Sequence, residues 1–184
     1  MDKILYCLVI ALFTLLSWLP LRVHYFMSDL IYFLFYKVIR YRLSVVMTNV
    51  SRSFPDMDYK ELDAVVRGFY HSLCDTIVET IWAFGHSRER VAKLLDFGGC
   101  DTLNEVYGEG RSVLVVMGHQ CNWELYTSLP DLKSHYRRKM DNKHFYYVYK
   151  KMSGSVSDMV INRIRTRHNA CVLVEKSQIV GHLL

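Results

Sequence analysis

The stretch RSVLVVMGHQCNWEL, residues Arg111 to Leu125, decides how the rest of the sequence is interpreted. Its first half, Ser112 to Met117, is a short apolar run rich in β-branched residues, which is typical of a strand buried on both faces of a parallel sheet. Gly118 ends the run, and His119 follows at the carboxyl end of the predicted strand. Because open α/β sheets bind their ligands at that end, the sequence predicts a site around His119.

The second half of the stretch places a carboxylate shortly after the histidine. Asn122 can cap a following helix, and Glu124 would then lie in the first turn, where a negative charge complements the helix dipole. A carboxylate that bonds one ring nitrogen of His119 would fix its tautomer and leave the other nitrogen free as a base. The same spacing is also common in an ordinary surface pair, so the spacing alone leaves both interpretations open.

The whole string GHQCNWEL resembles the H-x4-D/E block of the lysophospholipid-acyltransferase-like superfamily. It is most similar to the form H-x-x-N-W-E/D of the bacterial lipid A late acyltransferases, which His119, Asn122, Trp123 and Glu124 match one by one. A second match lies at Asn49 to Pro55, which resembles the N-L-x-x-S/A-F-P block of that family. The resemblance implies that His119 is the general base, that Glu124 orients it, and that Asn122 and Trp123 bind substrate.

Two segments of the C-terminal part fit the same family less closely. The predicted strand His144 to Lys150 resembles the family's V-Y/V-x-R-x strand, with Lys150 where arginine is usual. Arg165 to Asn169 fits the R-x-x-x-G block except at its last residue, and asparagine can also adopt the left-handed conformation that ends a helix. The resemblance implies that Lys150 and Arg165 bind substrate, Arg165 through a phosphate. A basic helix end that complements its own dipole is the alternative for Arg165.

The N-terminus combines an apolar run with an aromatic, basic segment. Ile4 to Leu21 is almost unbroken, carries no charge and is close to the minimum length that spans a bilayer. Tyr25 to Ile39 is amphipathic and leads into a basic cluster that includes Lys37 and Arg40, which is typical of a helix lying in the membrane interface. The sequence therefore predicts a transmembrane anchor followed by an interfacial helix. A hydrophobic core helix is the alternative for the apolar run.

Composition narrows the class of partner. A net charge of +5 over 184 residues, 14% of them aromatic, favours an anionic membrane surface or an acidic partner over nucleic acid, although ordinary surface charge explains so small an excess equally well. No nucleic-acid-binding motif occurs. The five cysteines are scattered without zinc spacing, so we expect reduced, mostly buried thiols and no metal site. Cys121 could be a nucleophile, but the resemblance assigns it no role.

A long helix is predicted between the N-terminal segment and the central stretch. Asp58 and Glu61 have the spacing of a capping box, and Gly85 is a plausible C-terminal stop. The apolar residues recur at three- and four-residue steps, which predicts a helix that covers the sheet. Asp75 and Glu79 fall on its more polar sides, and we expect no chemistry from this helix.

These segments predict an α/β fold. N-terminal transmembrane and interfacial helices, residues 1–42, precede an αβα acyltransferase-like domain, residues 43–184. A strand at residues 144–150, a helix at residues 155–168 and a further strand from residue 170 are expected in that domain. The family pattern continues through a D-Q block and more strands, so the domain is expected to be incomplete at its C-terminus, and we do not expect the chain to be active alone.

The resemblance implies an O-acyltransferase of lipopolysaccharide biosynthesis at the cell inner membrane, with its catalytic domain facing the cytoplasm. The enzyme would move a fatty acyl chain from acyl carrier protein to a hydroxyl of a lipid A precursor, without a metal or other cofactor. A basic loop at residues 137–143 is either a contact for the acidic carrier protein or a solvated charge run. Two alternatives stay open: another acceptor, such as a lysophospholipid, glycolipid or amino-acid lipid, and a catalytically silent membrane-associated fragment.

Overall fold

The computed structural model of the chain describes residues 2–95, 102, 105–106, 108–131, 146–168 and 171–179. Over these ranges the chain is mostly helical, with one small parallel sheet. The elements in chain order are α1 (Asp2–Ser17), α2 (Leu21–Tyr32) with its π-helical continuation (Phe33–Val38), α3 (Leu43–Ser53), α4 (Tyr59–Phe84), α5 (Arg88–Ala92), a 3₁₀ helix (Trp123–Asp131), β1 (Tyr146–Tyr149), α6 (Ser155–Thr166), β2 (Val172–Glu175) and a short 3₁₀ helix (Lys176–Gln178).

Helix α4 is the central element of the fold. It begins with the predicted capping box: the Asp58 carboxylate accepts a bond from the Glu61 amide at 2.8 Å, and the Glu61 carboxylate accepts one from the Asp58 amide at 2.9 Å. It ends at Gly85, as predicted. Its innermost side chains, spaced by four residues, are fully buried: Val66, Tyr70, Cys74 and Val78.

Among the described residues, other helices cover most of α4. Helices α1, α2 and α3 all lie against it, so the prediction that this helix covers the sheet is wrong. Side-chain hydrogen bonds tie α2 to the polar side of α4. The Tyr25 hydroxyl donates to Glu79 at 2.8 Å, and the Ser28 hydroxyl donates to Asp75 at 2.6 Å. Asp75 and Glu79, which were expected on the polar sides of α4, therefore join α4 to α2.

The apolar N-terminus does not form one continuous helix. Helix α1 ends at Ser17, and α2 begins at Leu21 directly after Pro20, because proline can start a helix but cannot continue one. In the part of the chain that the structure describes, no helix combines the length and the hydropathy that crossing a membrane requires. The predicted transmembrane anchor is therefore not supported.

The described sheet is a parallel β-α-β unit. Strands β1 and β2 pair with Tyr146 opposite Val172 and Tyr149 opposite Glu175, and α6 connects them. The strand, helix and strand predicted from residue 144 to 174 are confirmed where the structure describes them. The α/β prediction therefore holds for this unit, while the other regular elements of the described chain are helices.

The central strand predicted at Ser112–Met117 is wrong. Residues 111–118 adopt no regular secondary structure, and the side chains of Leu114 and Val116 are 85% and 84% exposed. An isolated strand is stable only when a neighbouring strand satisfies its backbone groups, and no backbone hydrogen bond joins 111–118 to any other described residue. The basic loop predicted at 137–143 lies outside the described residues.

Candidate functional site

Two adjoining segments make up the stretch that the sequence singled out. We call residues 111–118 the leading segment and residues 119–127 the motif segment. The leading segment is exposed throughout, whereas Asn122, Leu125 and Thr127 of the motif segment are buried. The helix predicted after Asn122 is present as the 3₁₀ helix that begins at Trp123. The candidate site is built on this motif segment.

Asn122 ties the motif segment to helix α4. Its side-chain amide donates to the Glu79 carboxylate at 3.1 Å and to the Thr76 carbonyl at 3.3 Å. Its side-chain oxygen accepts a longer bond, of 3.4 Å, from the Thr80 hydroxyl. The preceding residue, Cys121, has a positive φ of 48°, and its carbonyl accepts a bond from the Thr76 hydroxyl at 3.3 Å. The Asn122 side chain therefore faces α4.

Glu124 forms an ion pair with Arg165 of helix α6. Arg165 Nε donates to one carboxylate oxygen at 2.8 Å, and Nη2 donates to the other at 2.5 Å. The Glu124 side chain is only 11% exposed, and the Arg165 side chain is 14% exposed. Burial would lower the pKa of Arg165, but the hydrogen bonds and negative charge of Glu124 outweigh it and raise that pKa. The guanidinium therefore stays charged, and the bidentate geometry fixes the carboxylate.

The β-α-β unit surrounds this ion pair. The ring of Tyr147, on β1, lies 5.2 Å from the Arg165 guanidinium in a cation–π contact. The Cys171 thiol, just before β2, donates to the Arg165 carbonyl at 3.8 Å. Burial raises the pKa of Cys171 to about 11, against the opposing charge of Arg165, so this thiol stays protonated. The small sheet thus helps to hold Arg165 against the motif segment.

His119 lies at the exposed end of the motif segment. Its ring contacts the ring of Trp123 edge-on, with centroids 4.8 Å apart and planes inclined by 65°. Between His119 and Glu124, both of which the structure describes, there is no hydrogen bond, and both oxygens of Glu124 bind Arg165. The exposed imidazole is accessible to a substrate, and the catalytic pairing of His119 with Glu124 stays a prediction.

Packing around Leu125 fixes the remainder of the motif segment. Leu125 is buried in a cluster with Trp82 and Ala83 of α4 and Val91 of α5. The Thr127 hydroxyl donates to the Glu124 carbonyl at 2.8 Å. A cavity of 20 Å³ lies beside Glu124 between α4 and α6, and it has room for about one water molecule. His119 is exposed on the other, open side of the motif segment.

The other candidate residues are simple to place. Lys150 is exposed directly after β1 and forms no ion pair within the described residues. Cys74 and Cys171 are buried thiols, as expected, but Cys7 and Cys121 are exposed, and Cys100 lies outside the described residues. No group of potential metal ligands occurs in the described ranges.

Sequence reasoning missed the residues of α4 that hold Asn122. Thr76, Glu79 and Thr80 are three and four positions apart, so they share one face of the helix. The run of polar residues on one face of the C-terminal half of α4 was the signal, but the sequence does not show which distant segment it contacts. The partner, Asn122, lies 43 residues after Glu79 along the chain.

Comparison with known families identifies the chain. A model of the family described as bacterial lipid A biosynthesis acyltransferase matches residues 2–183. No curated protein and no solved structure matches the chain. Because the family match spans nearly every residue, the chain belongs to the bacterial lipid A biosynthesis acyltransferase family.

Proposed function

We propose that this member of the lipid A biosynthesis acyltransferase family transfers a fatty acyl chain from acyl carrier protein to a hydroxyl of a lipid A precursor. Family membership supports an acyltransferase role. One structural observation supports the proposal most: an exposed His119 lies five residues before a carboxylate that a buried arginine fixes in place. The residues that match the family block thus belong to one rigidly held segment with an open side.

His119 is the proposed general base. A neutral imidazole can accept the proton of the acceptor hydroxyl. The hydroxyl oxygen then attacks the thioester carbon, the carbon–sulfur bond breaks, and the imidazolium returns its proton to the departing thiolate. The products are the acylated lipid and the free carrier thiol. Such a base contributes about 10²–10⁴ to the rate.

We propose that Glu124 orients His119 and stabilises its protonated form, with Arg165 fixing the position of the carboxylate. Arg165 has five N–H groups, of which the bidentate pair uses two, so others remain for a phosphate of the acceptor. We also propose that Trp123, whose ring touches His119, and the exposed Lys150 contact substrate. The side chain of Asn122 bonds to α4, so its contribution to binding would come from its backbone.

A lipid acceptor requires the protein to meet the membrane, and the first two helices offer a suitable surface. Large apolar side chains of α1 and α2 are exposed beside basic residues such as Arg22. We propose that these helices lie on the cytoplasmic face of the inner membrane, with their apolar side chains among the lipids. The exposed apolar residues include Ile4, Leu8, Phe26 and Leu30.

A transfer assay on membranes from cells that express the complete open reading frame tests this proposal. The donor is acyl carrier protein that carries a radiolabelled fatty acyl chain, and the acceptor is a lipid A precursor. Thin-layer chromatography follows the labelled acyl chain. We expect transfer by the wild type, a loss of about 10²-fold or more in His119→Ala, and near-normal transfer in the exposed neighbour variant Gln120→Ala. Equal rates in the wild type and His119→Ala would refute the role of His119.

Further arms of the assay separate the other donors and acceptors. Acyl-coenzyme A replaces the carrier protein in one arm, and lysophospholipid replaces the lipid A precursor in another. Label that reaches only the lysophospholipid would contradict the proposed acceptor while preserving the acyltransferase. Absence of transfer in every arm, with folded protein bound to the membranes, would contradict the proposed activity itself.

A further inference from the structure

We infer that Glu79 on helix α4 is a positioning residue that holds the motif segment, and with it His119, in its working place. The inference rests on the function proposed above, since the segment it positions carries the proposed base. Glu79 lies 40 residues before His119 in the sequence and belongs to none of the family blocks recognised in the sequence. It acts through Asn122 and has no role in the reaction itself.

Glu79 joins three parts of the molecule through the two oxygens of one carboxylate. Oε2 accepts the bond from the Asn122 amide at 3.1 Å, and Oε1 accepts the bond from the Tyr25 hydroxyl at 2.8 Å. The first bond reaches the motif segment, and the second reaches helix α2. Burial and the charge of Glu79 raise the pKa of Tyr25 to about 12, so its hydroxyl remains a donor at cell pH.

The motif segment needs this support because its backbone is strained where it meets α4. Cys121 has a positive φ, a conformation that residues other than glycine adopt at an energetic cost. Its carbonyl accepts a hydrogen bond from the Thr76 hydroxyl, and the next residue, Asn122, is bonded to α4. Asn122 is only 6% exposed, so its amide requires an acceptor inside the protein. Of the bonds that Asn122 forms, the shortest is the one to Glu79.

Loss of the Glu79 carboxylate should therefore affect catalysis more than binding. Removing it leaves the Asn122 amide with the longer bond to Thr76, so the backbone on both sides of Asn122 is less firmly held. A displacement of about 1 Å at a reacting group can reduce a rate about 10²-fold. The substrate contacts proposed for Arg165 and Lys150 lie outside the motif segment and are unchanged, so kcat should fall much more than KM rises.

Asp75 provides a matched control on the same helix. It lies one turn before Glu79 and also accepts a hydrogen bond from α2, from the Ser28 hydroxyl at 2.6 Å. Within the described residues, no hydrogen bond or ion pair joins Asp75 to the motif segment. Asp75→Ala therefore removes a tether between α2 and α4 but leaves the bond from Glu79 to Asn122 intact.

The experiment compares full-length wild type, Glu79→Ala, Glu79→Gln and Asp75→Ala. It measures kcat and KM for acyl transfer, thermal unfolding, and hydrogen exchange of the peptide that covers residues 119–127. We expect Glu79→Ala to lose about 10- to 100-fold in kcat, with KM within about twofold, and to exchange faster in that peptide. Glu79→Gln should retain most activity, because its amide oxygen still accepts from Asn122. Asp75→Ala should match the wild type in kcat and exchange.

Equal kcat and equal exchange in Glu79→Ala and Asp75→Ala would overturn the inference. If the wild type transfers no acyl group, the proposed function fails, but the hydrogen-exchange data still test Glu79. Faster exchange in Glu79→Ala, and not in Asp75→Ala, supports the positioning role of Glu79. Equal exchange in the two variants rejects it. If Glu79→Ala does not fold, Asn122→Leu removes the same bond from the other side. An unchanged kcat and unchanged exchange in that variant would equally reject the role.

Discussion

The leading segment and the motif segment are neighbours in sequence but differ in how the fold holds them. Residues 111–118 form no backbone hydrogen bond within the described part of the chain, and their apolar side chains face outward. Residues 119–127 are bonded to α4 through Asn122 and to α6 through Glu124, and Leu125 is buried. Apolar composition alone therefore did not decide burial. The motif segment is buried because its residues have specific partners on α4, α5 and α6.

The largest contrast should appear when an ion pair of each segment is broken. Arg165→Ala leaves the buried Glu124 carboxylate without its partner and should lower the free energy of unfolding by about 3–5 kcal/mol. Arg111→Ala removes an exposed pair with Glu109, whose atoms lie 3.0 Å apart, and should cost less than about 1 kcal/mol. Urea unfolding of both variants in detergent measures the difference, and equal losses would contradict it.

A leucine from each segment gives the next largest contrast. Leu125→Ala opens a cavity in the cluster with Trp82 and Val91 and should cost about 2–5 kcal/mol. Leu114→Ala changes a side chain that is mostly in solvent and should alter stability by less than about 0.5 kcal/mol. Thermal unfolding of the two variants side by side tests this. A loss of several kcal/mol in Leu114→Ala would show that the leading segment is buried.

A smaller effect is expected from His168, which lines the cavity beside Glu124. Burial, together with the positive charges of Arg167 and Arg88, lowers the pKa of His168 to about 4, against the opposing charge of Glu89. In the unfolded chain the pKa is near 6.5, so the unfolded state binds more protons between the two values. Stability should therefore be complete above about pH 6.5 and fall as the pH drops towards 4.

His168→Gln tests this dependence, because it removes the titrating group while keeping a polar side chain. The stability of the variant, measured by urea unfolding from pH 7.5 to 4, should decrease less over this range than that of the wild type. Other groups titrate in both proteins and cancel in the comparison. Parallel curves for the two proteins would show that His168 keeps an ordinary pKa in the folded state.

Features that depend on a few neighbouring residues could be predicted from the sequence. The capping box of Asp58 and Glu61 and the helix end at Gly85 involve residues close in the chain, and the structure has both. The β-α-β unit was also visible, since strand, helix and strand follow one another directly. Family membership followed from the block that ends in Glu124.

Features that depend on distant partners could not be predicted. Arg165 was expected to bind a phosphate, and the structure pairs it with Glu124. This pair forms because α6 lies beside the motif segment, and the two residues are 41 positions apart in sequence. The pattern of residues in α4 placed Glu79 on a polar side of the helix. It did not show the partners of Glu79, Tyr25 and Asn122, because both lie on other elements. The apolar run from Ile4 to Leu21 had nearly the length of a membrane span, and Pro20 divides it between two helices.

Hydrogen exchange of the wild-type protein tests the contrast between the two segments most directly. Peptides covering residues 111–118 should exchange within seconds, because their amides have no partners among the described residues. Peptides covering residues 122–127 should be protected for much longer, since this segment is bonded to α4 and α6. Equal, strong protection of both peptides would contradict this account and would restore the buried strand that the sequence predicts at Ser112–Met117.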